Sequence, residues 1–338
     1  MSQPSIPETM RAAVLTAYDG RPESLRMEER PVPKPGPGEV LVRLAAAPIN
    51  PSDLMFLRGA YGLKKALPTV PGFEGSGTVV VSGGVAGRLL VGRRVAFGAA
   101  VQGDGTWAEY IRVPLGHCLP LRAHMTDEQG ATLFVNPFTA WALMDQAREG
   151  KHRAVAQTAA ASALGRMLLK LSRRERIPMV NVVRREQQAE LLRGLGAEHV
   201  VVSGEPGFEA RLRELFHRLG VTLAFDAVAG RMTGQLLEAM PAGGCVTVYG
   251  ALSDEVCGIH PSALIFERKR VEGFWLADWF LQGRFGPKQL RALMGVPSLF
   301  GRELETPVRS RVELSKVTEA VKLAAGEMTS GKVLLVPG

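Results

Sequence analysis

In the first third of the chain, apolar residues alternate with polar ones or form short runs, a pattern typical of β-strands. The strands predicted on this basis are residues 10–17, 38–47, 77–81, 94–97 and 107–113. Glycine-rich turns separate several of them, and many short strands with turn signals predict a compact β-barrel-like domain. One helix is also predicted, because Asn50, Ser52 and Asp53 precede a short, helically spaced apolar run as capping residues do.

From Thr126 onwards the pattern changes. Thr126 and Gln129 have the spacing of a capping box, and a helical apolar pattern follows, interrupted by Pro137. Apolar β-rich runs then alternate with helical stretches, which predicts a doubly wound parallel sheet with helices on both faces. The predicted strands lie near Val155 and at residues 179–183, 199–202, 222–227, 245–249 and 271–276. The predicted helices between them include residues 187–195, 208–219 and 232–239.

The last thirty or so residues return to a strand–helix–strand pattern, at residues 307–336, which we expect to complete the first domain. The chain of 338 residues is long enough for two domains of ordinary size. We therefore predict an α/β chain with a β-rich domain at residues 1–126 and 276–338. The doubly wound parallel-sheet domain is predicted at residues 127–275.

Composition excludes several classes of partner. No apolar run reaches the roughly 18 residues that span a bilayer, and no basic start leads into an apolar core, so we expect a cytoplasmic protein with no membrane partner. The net charge of +8 comes from short basic clusters without interleaved aromatic residues, which disfavours nucleic acid as a partner. Three scattered cysteines are too few for a disulfide framework or a structural zinc knuckle.

The stretch from Arg153 to Arg185 reads strand, tight turn, helix, strand, and such a turn can bind a pyrophosphate at the helix N-terminus. Where a GxGxxG fingerprint has three glycines, this chain has Ala160, Ser162 and Gly165, so the motif is partial. An ordinary βαβ crossover with an Ala-rich turn is the alternative.

The second strand of this stretch ends at Arg184 and Arg185. An acidic residue at this place accepts the ribose 2′-hydroxyl of NAD, whereas arginine accommodates the 2′-phosphate of NADP. The pair therefore favours NADPH, although two arginines at a strand end are also typical of a solvated edge.

Several segments together resemble the medium-chain dehydrogenase/reductase superfamily over nearly the whole chain. They are GEVLVRLAAAPINPSDL, VPGFEGSGTV, GRRVAF, GTWAEYIRVP, LFVNPFTAWALM and LGAEHVV. Within that superfamily, PINPSDLMFLRGAYG, FVNPFTAW, NVVRR, YGAL and ALIFERKRVEGFWLADW are most similar to mitochondrial-type 2-enoyl-thioester reductases, and NADPH:quinone reductases come next. The resemblance implies a GroES-like catalytic domain with an inserted Rossmann NADPH-binding domain, and a homodimer joined through the strand at Val271 to Leu276.

The zinc-dependent branch of the superfamily needs cysteine and histidine ligands around a GHE segment. This chain has GFEG there, with Phe73 before Glu74, and it lacks the four-cysteine structural lobe. We therefore expect no metal site and no zinc.

The resemblance also implies the site residues. Tyr61 matches the catalytic tyrosine of the enoyl reductases, where a phenol with an ordinary pKa of about 10 stays protonated at neutral pH and can stabilise an enolate or donate a proton. The implied NADPH-binding residues are Asn136, Ala161, Ser162, Ala163, Leu164, Arg184, Arg185, Tyr249, Gly250, Ala251, Leu252, Phe274, Trp275, Leu276, Ala277 and Lys332. At the phosphate turn the family has Asn-Ser-Gly-Val, so Ala161 removes an amide and Ala163 adds a Cβ.

The expected activity is NADPH-dependent reduction of activated carbon–carbon double bonds. A 2-enoyl thioester of CoA or acyl carrier protein is the preferred substrate, which would place the protein in fatty acid metabolism. One alternative is an NADPH:quinone reductase, for which Tyr61 would be dispensable. A second is a non-catalytic NADPH-binding protein, which the altered phosphate turn would favour.

Overall fold

The computed structural model describes residues 6–99, 103–282, 286–326 and 329–338. The strands are β1 (Thr9–Leu15), β2 (Leu25–Pro31), β3 (Glu39–Pro48), β4 (Glu74–Ser82), β5 (Arg94–Gly98), β6 (Tyr110–Pro114), β7 (Cys118–Pro120), β8 (Ala154–Gln157), β9 (Met179–Val183), β10 (His199–Val202), β11 (Val221–Asp226), β12 (Cys245–Val248), β13 (Arg270–Gly273), β14 (Val308–Glu313) and β15 (Lys332–Val336). The helices are α1 (Pro51–Leu57), α2 (Asp127–Ala131), α3 (Val135–Glu149), α4 (Ala163–Glu175), α5 (Glu186–Gly194), α6 (Phe208–Leu219), α7 (Arg231–Ala239), α8 (Pro261–Ile265), α9 (Leu276–Gln282), α10 (Pro287–Leu299) and α11 (Val317–Gly326).

The chain forms two compact units, unit 1 at Met1–Asn136 with Glu305–Gly338 and unit 2 at Pro137–Leu304. In unit 1, a sheet runs in the order β14-β15-β3-β4-β5-β7, with β6 also paired to β3, and β1 and β2 form a separate antiparallel ribbon. The core of this unit includes Val40, Phe97 and Trp107, all essentially inaccessible to water. This is the predicted β-rich domain.

The C-terminal tail returns to unit 1 as predicted. It forms β14, α11 and β15, and β15 pairs antiparallel with β3, setting Leu334 opposite Pro48 and Leu335 opposite Ala47. Val317, Ala320 and Val321 of α11 lie on one helical face and are buried in the core of the unit. The tail therefore completes the sheet of unit 1.

Unit 2 is a parallel six-stranded sheet in the order β10-β9-β8-β11-β12-β13. The first strand of the sheet, β8, lies centrally and the strand order reverses beside it, as in a Rossmann fold. Strand β9 is buried at every position, because strands covered by helices on both faces exclude water throughout. The predicted doubly wound sheet is confirmed.

The boundaries of the units differ from those predicted from the sequence, 126/127 and 275/276. Helix α2 packs against β3, β4 and β5, and its Ala131 is buried with Ala46 and Leu334, so this segment lies in unit 1. The ring of Phe280 in α9 packs against Phe138 at 5.4 Å, which places α9 with unit 2. The sequence showed the change of pattern but not these contacts.

Two local expectations were wrong, and one strand was missed. Pro137 does not interrupt α3, since it is the third residue of that helix, where a backbone N–H has no intrahelical acceptor to lose. The strand predicted at residues 271–276 ends at Gly273, and Leu276 begins α9. The strand β2, which was not predicted, lies in a charged segment, LRMEERP, in which only Leu25 is buried and which lacks a clear alternation of apolar residues.

Candidate active site

The turn after β8 leads directly into α4. Ala159 adopts a left-handed backbone (φ 47°), and Ser162 is the N-cap of α4, its Oγ accepting the backbone N–H of Gly165 at 3.1 Å. A Cβ on Gly165 would lie 2.4 Å from the carbonyl oxygen of Ala160. Gly165 thus permits the close approach of helix and turn that the third glycine of a dinucleotide fingerprint provides.

This turn fits the pyrophosphate of a dinucleotide. Ala163 and Leu164 are the first two residues of α4, where backbone N–H groups have no acceptor within the helix. The partial positive charge of the helix N-terminus adds to these donors. The two alanines that replace the family's asparagine and glycine leave this backbone arrangement in place.

A buried polar pair lies behind the turn. Gln157, at the end of β8, is fully buried and donates its amide to the carbonyl of Gly165 at 2.9 Å and to Oδ1 of Asn181 at 2.8 Å. Asn181, also fully buried, in turn donates to the carbonyls of Met179 and His199. The turn is therefore tied to β9 and β10, a role that sequence analysis missed because the partners lie in different elements.

Arg184 and Arg185 directly follow β9, and both side chains are exposed. Their backbone N–H groups point to Oε1 of Gln188, at 3.1 and 3.3 Å, and Arg185 is the N-cap of α5. The backbone N–H of Ala160 donates to the carbonyl of Val182 at 3.2 Å, so the phosphate turn and the end of β9 are neighbours. A 2′-phosphate near this strand end would meet two guanidinium groups.

The remaining predicted cofactor residues of unit 2 follow the next two strand ends. Tyr249 to Leu252 continue from β12, and the N–H of Leu252 donates to the carbonyl of Ala227 after β11 at 3.1 Å. Phe274 to Ala277 continue from β13, with the N–H of Phe274 donating to the carbonyl of Val248 at 2.8 Å. All the cofactor candidates of unit 2 thus lie along the carboxyl edge of the sheet, where open parallel sheets bind ligands.

Tyr249 differs from its neighbours in one respect. Its hydroxyl oxygen is buried and has no hydrogen-bond partner within the described ranges of the chain. Burial raises the pKa of this phenol, and the nearby carboxylate of Asp226 raises it further. The group therefore stays protonated over the whole physiological range.

In unit 1, a buried hydrogen-bond network joins three elements. Glu74 accepts the backbone N–H groups of Phe134 and Val135 at 2.9 and 2.8 Å, and it accepts the side-chain amide of Asn50 at 2.8 Å. The ammonium of Lys332 donates to Oδ1 of Asn50. Lys332, a predicted cofactor residue, is thereby linked to Glu74 through Asn50, and a second predicted cofactor residue, Asn136, directly follows Val135.

Asp53 belongs to the same network, which we call the Glu74 network (Asn50, Asp53, Glu74 and Lys332). Its Oδ2 accepts the backbone N–H of Asn50, the N-cap of α1, at 2.7 Å, so Asp53 caps the helix from within its first turn. The side chain of Asn50, by contrast, bonds to Glu74 and Lys332. Sequence analysis missed this second role of Asn50 and the role of Glu74, because the partners are far apart in the chain.

Burial shifts the pKa of each ionisable group in the Glu74 network towards its uncharged form. Burial raises the pKa of Asp53 to about 7, and the neighbouring carboxylate of Glu74 also raises it. Burial likewise raises the pKa of Glu74. Burial lowers the pKa of Lys332 to about 8, against the opposing effect of the two carboxylates. The pKa values of the lysine and the two carboxyl groups are therefore closer to one another than those of the same groups in water.

Tyr61 lies in the loop after α1, half-buried, with its ring against that of Phe73. The two ring centroids are 4.7 Å apart and the planes are tilted by 36°. Phe73 immediately precedes Glu74, so the predicted catalytic tyrosine packs beside the start of the Glu74 network. Tyr61, Asn136 and Lys332 all belong to unit 1.

The position before Glu74, where a metal-binding relative would place a histidine, holds the ring of Phe73. Across residues 6–99, 103–282, 286–326 and 329–338, no three His, Cys, Asp or Glu side chains come together as a metal site requires. In the same ranges, no helix is both long and apolar enough to cross a bilayer.

Two protein-family models match the chain, one in each unit. Residues 36–123 match the alcohol dehydrogenase GroES-like domain, and residues 163–287 match a domain described as zinc-binding dehydrogenase. The mitochondrial enoyl-[acyl-carrier-protein] reductase of Caenorhabditis elegans is 34% identical over 280 residues, which cover 80% of this chain and 78% of that protein. The human enzyme of the same name is 30% identical over 305 residues, 88% of this chain and 80% of that one.

Solved structures with the same fold carry a different name. A Mesorhizobium loti protein assigned as an NADPH:quinone reductase superposes with a TM-score of 0.91 at 34% identity, covering 99% of this chain and 100% of that one. The quinone oxidoreductase of Thermus thermophilus, also determined in complex with NADPH, gives 0.78 at 26% identity, covering 97% of this chain and 100% of that one. These four relatives thus divide between two reductase names.

Proposed function

Since this chain belongs to the medium-chain dehydrogenase/reductase superfamily, we propose that it is an NADPH-dependent reductase of activated carbon–carbon double bonds, with 2-enoyl thioesters as substrates. One observation carries the proposal. The carboxyl edge of the unit 2 sheet combines the helix N-terminus at Ala163 and Leu164 with two exposed arginines at the end of β9. Such an edge is suited to a dinucleotide that carries a 2′-phosphate.

The residues of unit 2 would hold NADPH without a zinc ion. Backbone N–H groups of Ala163 and Leu164 would bind the pyrophosphate, and the Ser162 hydroxyl, whose oxygen already caps α4, can still donate its proton to a phosphate oxygen. Arg184 and Arg185 would pair with the 2′-phosphate. The remaining positions in unit 2 proposed to contact the cofactor are Ala161, Tyr249, Gly250, Ala251, Leu252, Phe274, Trp275, Leu276 and Ala277.

Two residues of unit 1, Asn136 and Lys332, are also proposed to act on the cofactor. Asn136 would contact the nicotinamide ribose. Lys332 is nine-tenths buried and already donates a hydrogen bond to Asn50. We therefore propose that it acts on the cofactor indirectly, through its contacts in the Glu74 network.

The bound cofactor would supply a hydride to the β-carbon of the enoyl thioester. The chain must then stabilise negative charge on the thioester oxygen and deliver a proton to the α-carbon. Tyr61 is the residue proposed for this task, because a phenol is protonated at neutral pH and can both donate a hydrogen bond and transfer a proton. The names of the curated relatives support this substrate class.

A quinone is the second candidate substrate, favoured by the names of the structures with the same fold. A quinone that accepts hydride carries the charge on an aromatic oxygen and can take its proton from water, so it needs no dedicated acid from the protein. The two candidate substrates therefore differ in what they require of Tyr61.

The deciding experiment follows NADPH oxidation with a 2-enoyl-CoA and with a small quinone, on the wild type and on Tyr61→Phe. We expect enoyl turnover that falls by roughly 10²- to 10⁴-fold in the variant, as for the loss of a general acid. Tyr110→Phe, which removes a hydroxyl from β6, is the matched control and should turn over like the wild type. Turnover of the quinone alone, unaffected by Tyr61→Phe, would show that the substrate proposal is wrong while leaving the cofactor proposal intact.

The acyl carrier is a separate question within this proposal. Thioesters of CoA and of acyl carrier protein with one acyl chain length, compared in the same assay, would show which carrier the protein prefers. Action in the cytoplasm and a part in fatty acid metabolism stay predictions from the sequence.

A further inference from the structure

Four aromatic rings pack in series in unit 1. The ring of Phe73 lies against Tyr61 at 4.7 Å, and it also meets Phe56 edge-on at 5.6 Å. Phe56 in turn meets Tyr18 edge-on at 5.4 Å. Both geometries are favourable for aromatic pairs. We call this series the ring stack (Tyr61, Phe73, Phe56 and Tyr18).

The far end of the ring stack is fixed. Phe56 is 1% exposed and belongs to the hydrophobic core. The Tyr18 hydroxyl donates to the backbone carbonyl of Lys65 and accepts the backbone N–H of the same residue, both at 2.9 Å. Since Lys65 lies four residues after Tyr61, the loop that carries Tyr61 is tied to the opposite end of the same stack.

The backbone around Phe73 is also held. The preceding Gly72 has φ +103°, and a Cβ there would lie 2.2 Å from Oγ1 of Thr106, so only glycine fits. The carbonyl of Phe73 accepts the N–H of Ala99 at 2.7 Å. The following residue, Glu74, is anchored by the Glu74 network. The direction in which the Phe73 side chain leaves the backbone is therefore fixed on both sides.

Tyr61 is half-buried against Phe73, while its neighbours in the loop, Ala60 and Gly62, are exposed. We propose that Phe73 is a positioning residue: its ring, at the place where metal-binding relatives have a histidine, holds the ring of Tyr61 in the orientation needed to deliver a proton. This inference rests on the proposed role of Tyr61 in catalysis. Phe73 itself contributes no proton and no charge.

The first test measures kcat for a 2-enoyl-CoA. Phe73→Leu keeps an apolar side chain but removes the ring, and we expect kcat to fall about tenfold, because a catalytic group displaced by a fraction of an ångström loses much of its effect. The Kd for NADPH should stay at the wild-type value. Phe73→Tyr, which retains the ring, should restore kcat to within about twofold of the wild type.

Two controls separate positioning from a loss of stability. Phe97→Leu makes the same substitution at a fully buried ring of the same unit outside the ring stack, and it should lower Tm with little change in kcat. In a Tyr61→Phe background, Phe73→Leu should cause no further loss of kcat, since Phe73 acts only through Tyr61. An equal loss in both backgrounds would overturn the proposal.

A spectroscopic readout keeps this inference distinct from the proposed function. The chain has four tyrosines, so 3-fluorotyrosine labelling gives a small set of ¹⁹F resonances, and Tyr61→Phe identifies the one from Tyr61. Phe73→Leu should broaden or split that resonance, because a ring that is no longer held samples more than one orientation, whereas a single resonance as sharp as that of the wild type would overturn the proposal. A broadened or split resonance together with full enoyl turnover by Tyr61→Phe would instead sustain the positioning and refute the catalytic role of Tyr61.

Discussion

At the scale of single residues, burial determines what the polar groups of unit 1 can do. Asp53 and Glu74 are at most 1% exposed, and two carboxylates held that close would repel each other strongly in a dry interior. Lys332 and the backbone N–H groups of Phe134 and Val135 offset part of that cost. The protonation state of each ionisable group in the network therefore depends on the protonation states of the others.

The pH dependence of stability should reveal the proton on Asp53. The unfolded chain releases this proton at a pKa of about 3.9, whereas the folded protein holds it up to about pH 7. Between these values the folded state binds more protons than the unfolded state, so stability falls as pH rises; the destabilisation is absent below this range and complete above it.

Asp53→Asn removes this titration. Relative to the variant, the wild type should lose roughly a few kcal/mol of unfolding free energy between about pH 4.5 and about pH 7.5. Urea unfolding of both proteins at the two pH values measures the difference. Glu190→Gln, at an exposed carboxyl on α5, is the control and should track the wild type. A constant difference between Asp53→Asn and the wild type at both pH values would mean that Asp53 is already ionised in the folded state at the lower pH.

At the scale of elements, we expect the strand ends of unit 2 to determine which cofactor is bound. The loop after β9 presents Arg184 and Arg185 next to the phosphate turn, and both backbone N–H groups are held by Gln188. The guanidinium groups are exposed and can reach a ligand without breaking a contact of the core. Selectivity for the 2′-phosphate should therefore reside in these two side chains.

The double variant Arg184→Ala/Arg185→Ala should weaken NADPH binding by about 10- to 100-fold or more, since a charged hydrogen bond contributes about 1.5–3 kcal/mol. Binding of NADH, which has no 2′-phosphate, should change little. Titration by fluorescence or calorimetry measures both Kd values. Arg211→Ala/Arg218→Ala removes the same charge from α6 and should leave the ratio of the two Kd values as in the wild type; equal weakening of NADH and NADPH in the test variant would refute the assignment.

Elements with a strong local pattern were predictable from the sequence. Strand β9 and helix α6 have the predicted bounds, and Thr126 and Gln129 form the predicted capping box. Local patterning suffices there because apolar periodicity and caps act over a few residues. It failed at β2, a charged strand in which only Leu25 is buried, and at Gly273, where the chain leaves the strand.

The site was predictable only where residues follow one another in a motif. The turn from Ala161 to Leu164 and the arginine pair belong to short segments with recognisable spacing. Contacts between distant segments were not predictable: Gln157 with Asn181, Lys332 with Asn50, and Phe73 with Tyr61. No periodicity encodes such pairs, since the fold alone brings them together.

At the scale of the whole molecule, the parallel sheet of unit 2 has β10 at one edge and β13 at the other. β13 pairs with β12 on one side, and among the described residues no strand pairs with its other side. Arg270 and Glu272 on this strand are exposed. Just before it, at the end of α8, Leu264, Ile265 and Phe266 are 43%, 66% and 79% exposed. An open edge beside exposed apolar side chains is a suitable surface for a second copy of the chain.

The protein should therefore be a homodimer in which two unit 2 sheets join edge to edge at β13. Phe266→Glu places a charge among the exposed apolar residues, and burying that charge against a partner would cost far more than the contact contributes. Sedimentation velocity should give the mass of two chains for the wild type and of one chain for Phe266→Glu. Leu89→Glu changes an equally exposed leucine, 86% accessible, in unit 1 and should remain dimeric. A wild type with the mass of one chain at micromolar concentration would contradict the dimer. A dimeric Phe266→Glu would show that the interface does not lie at β13.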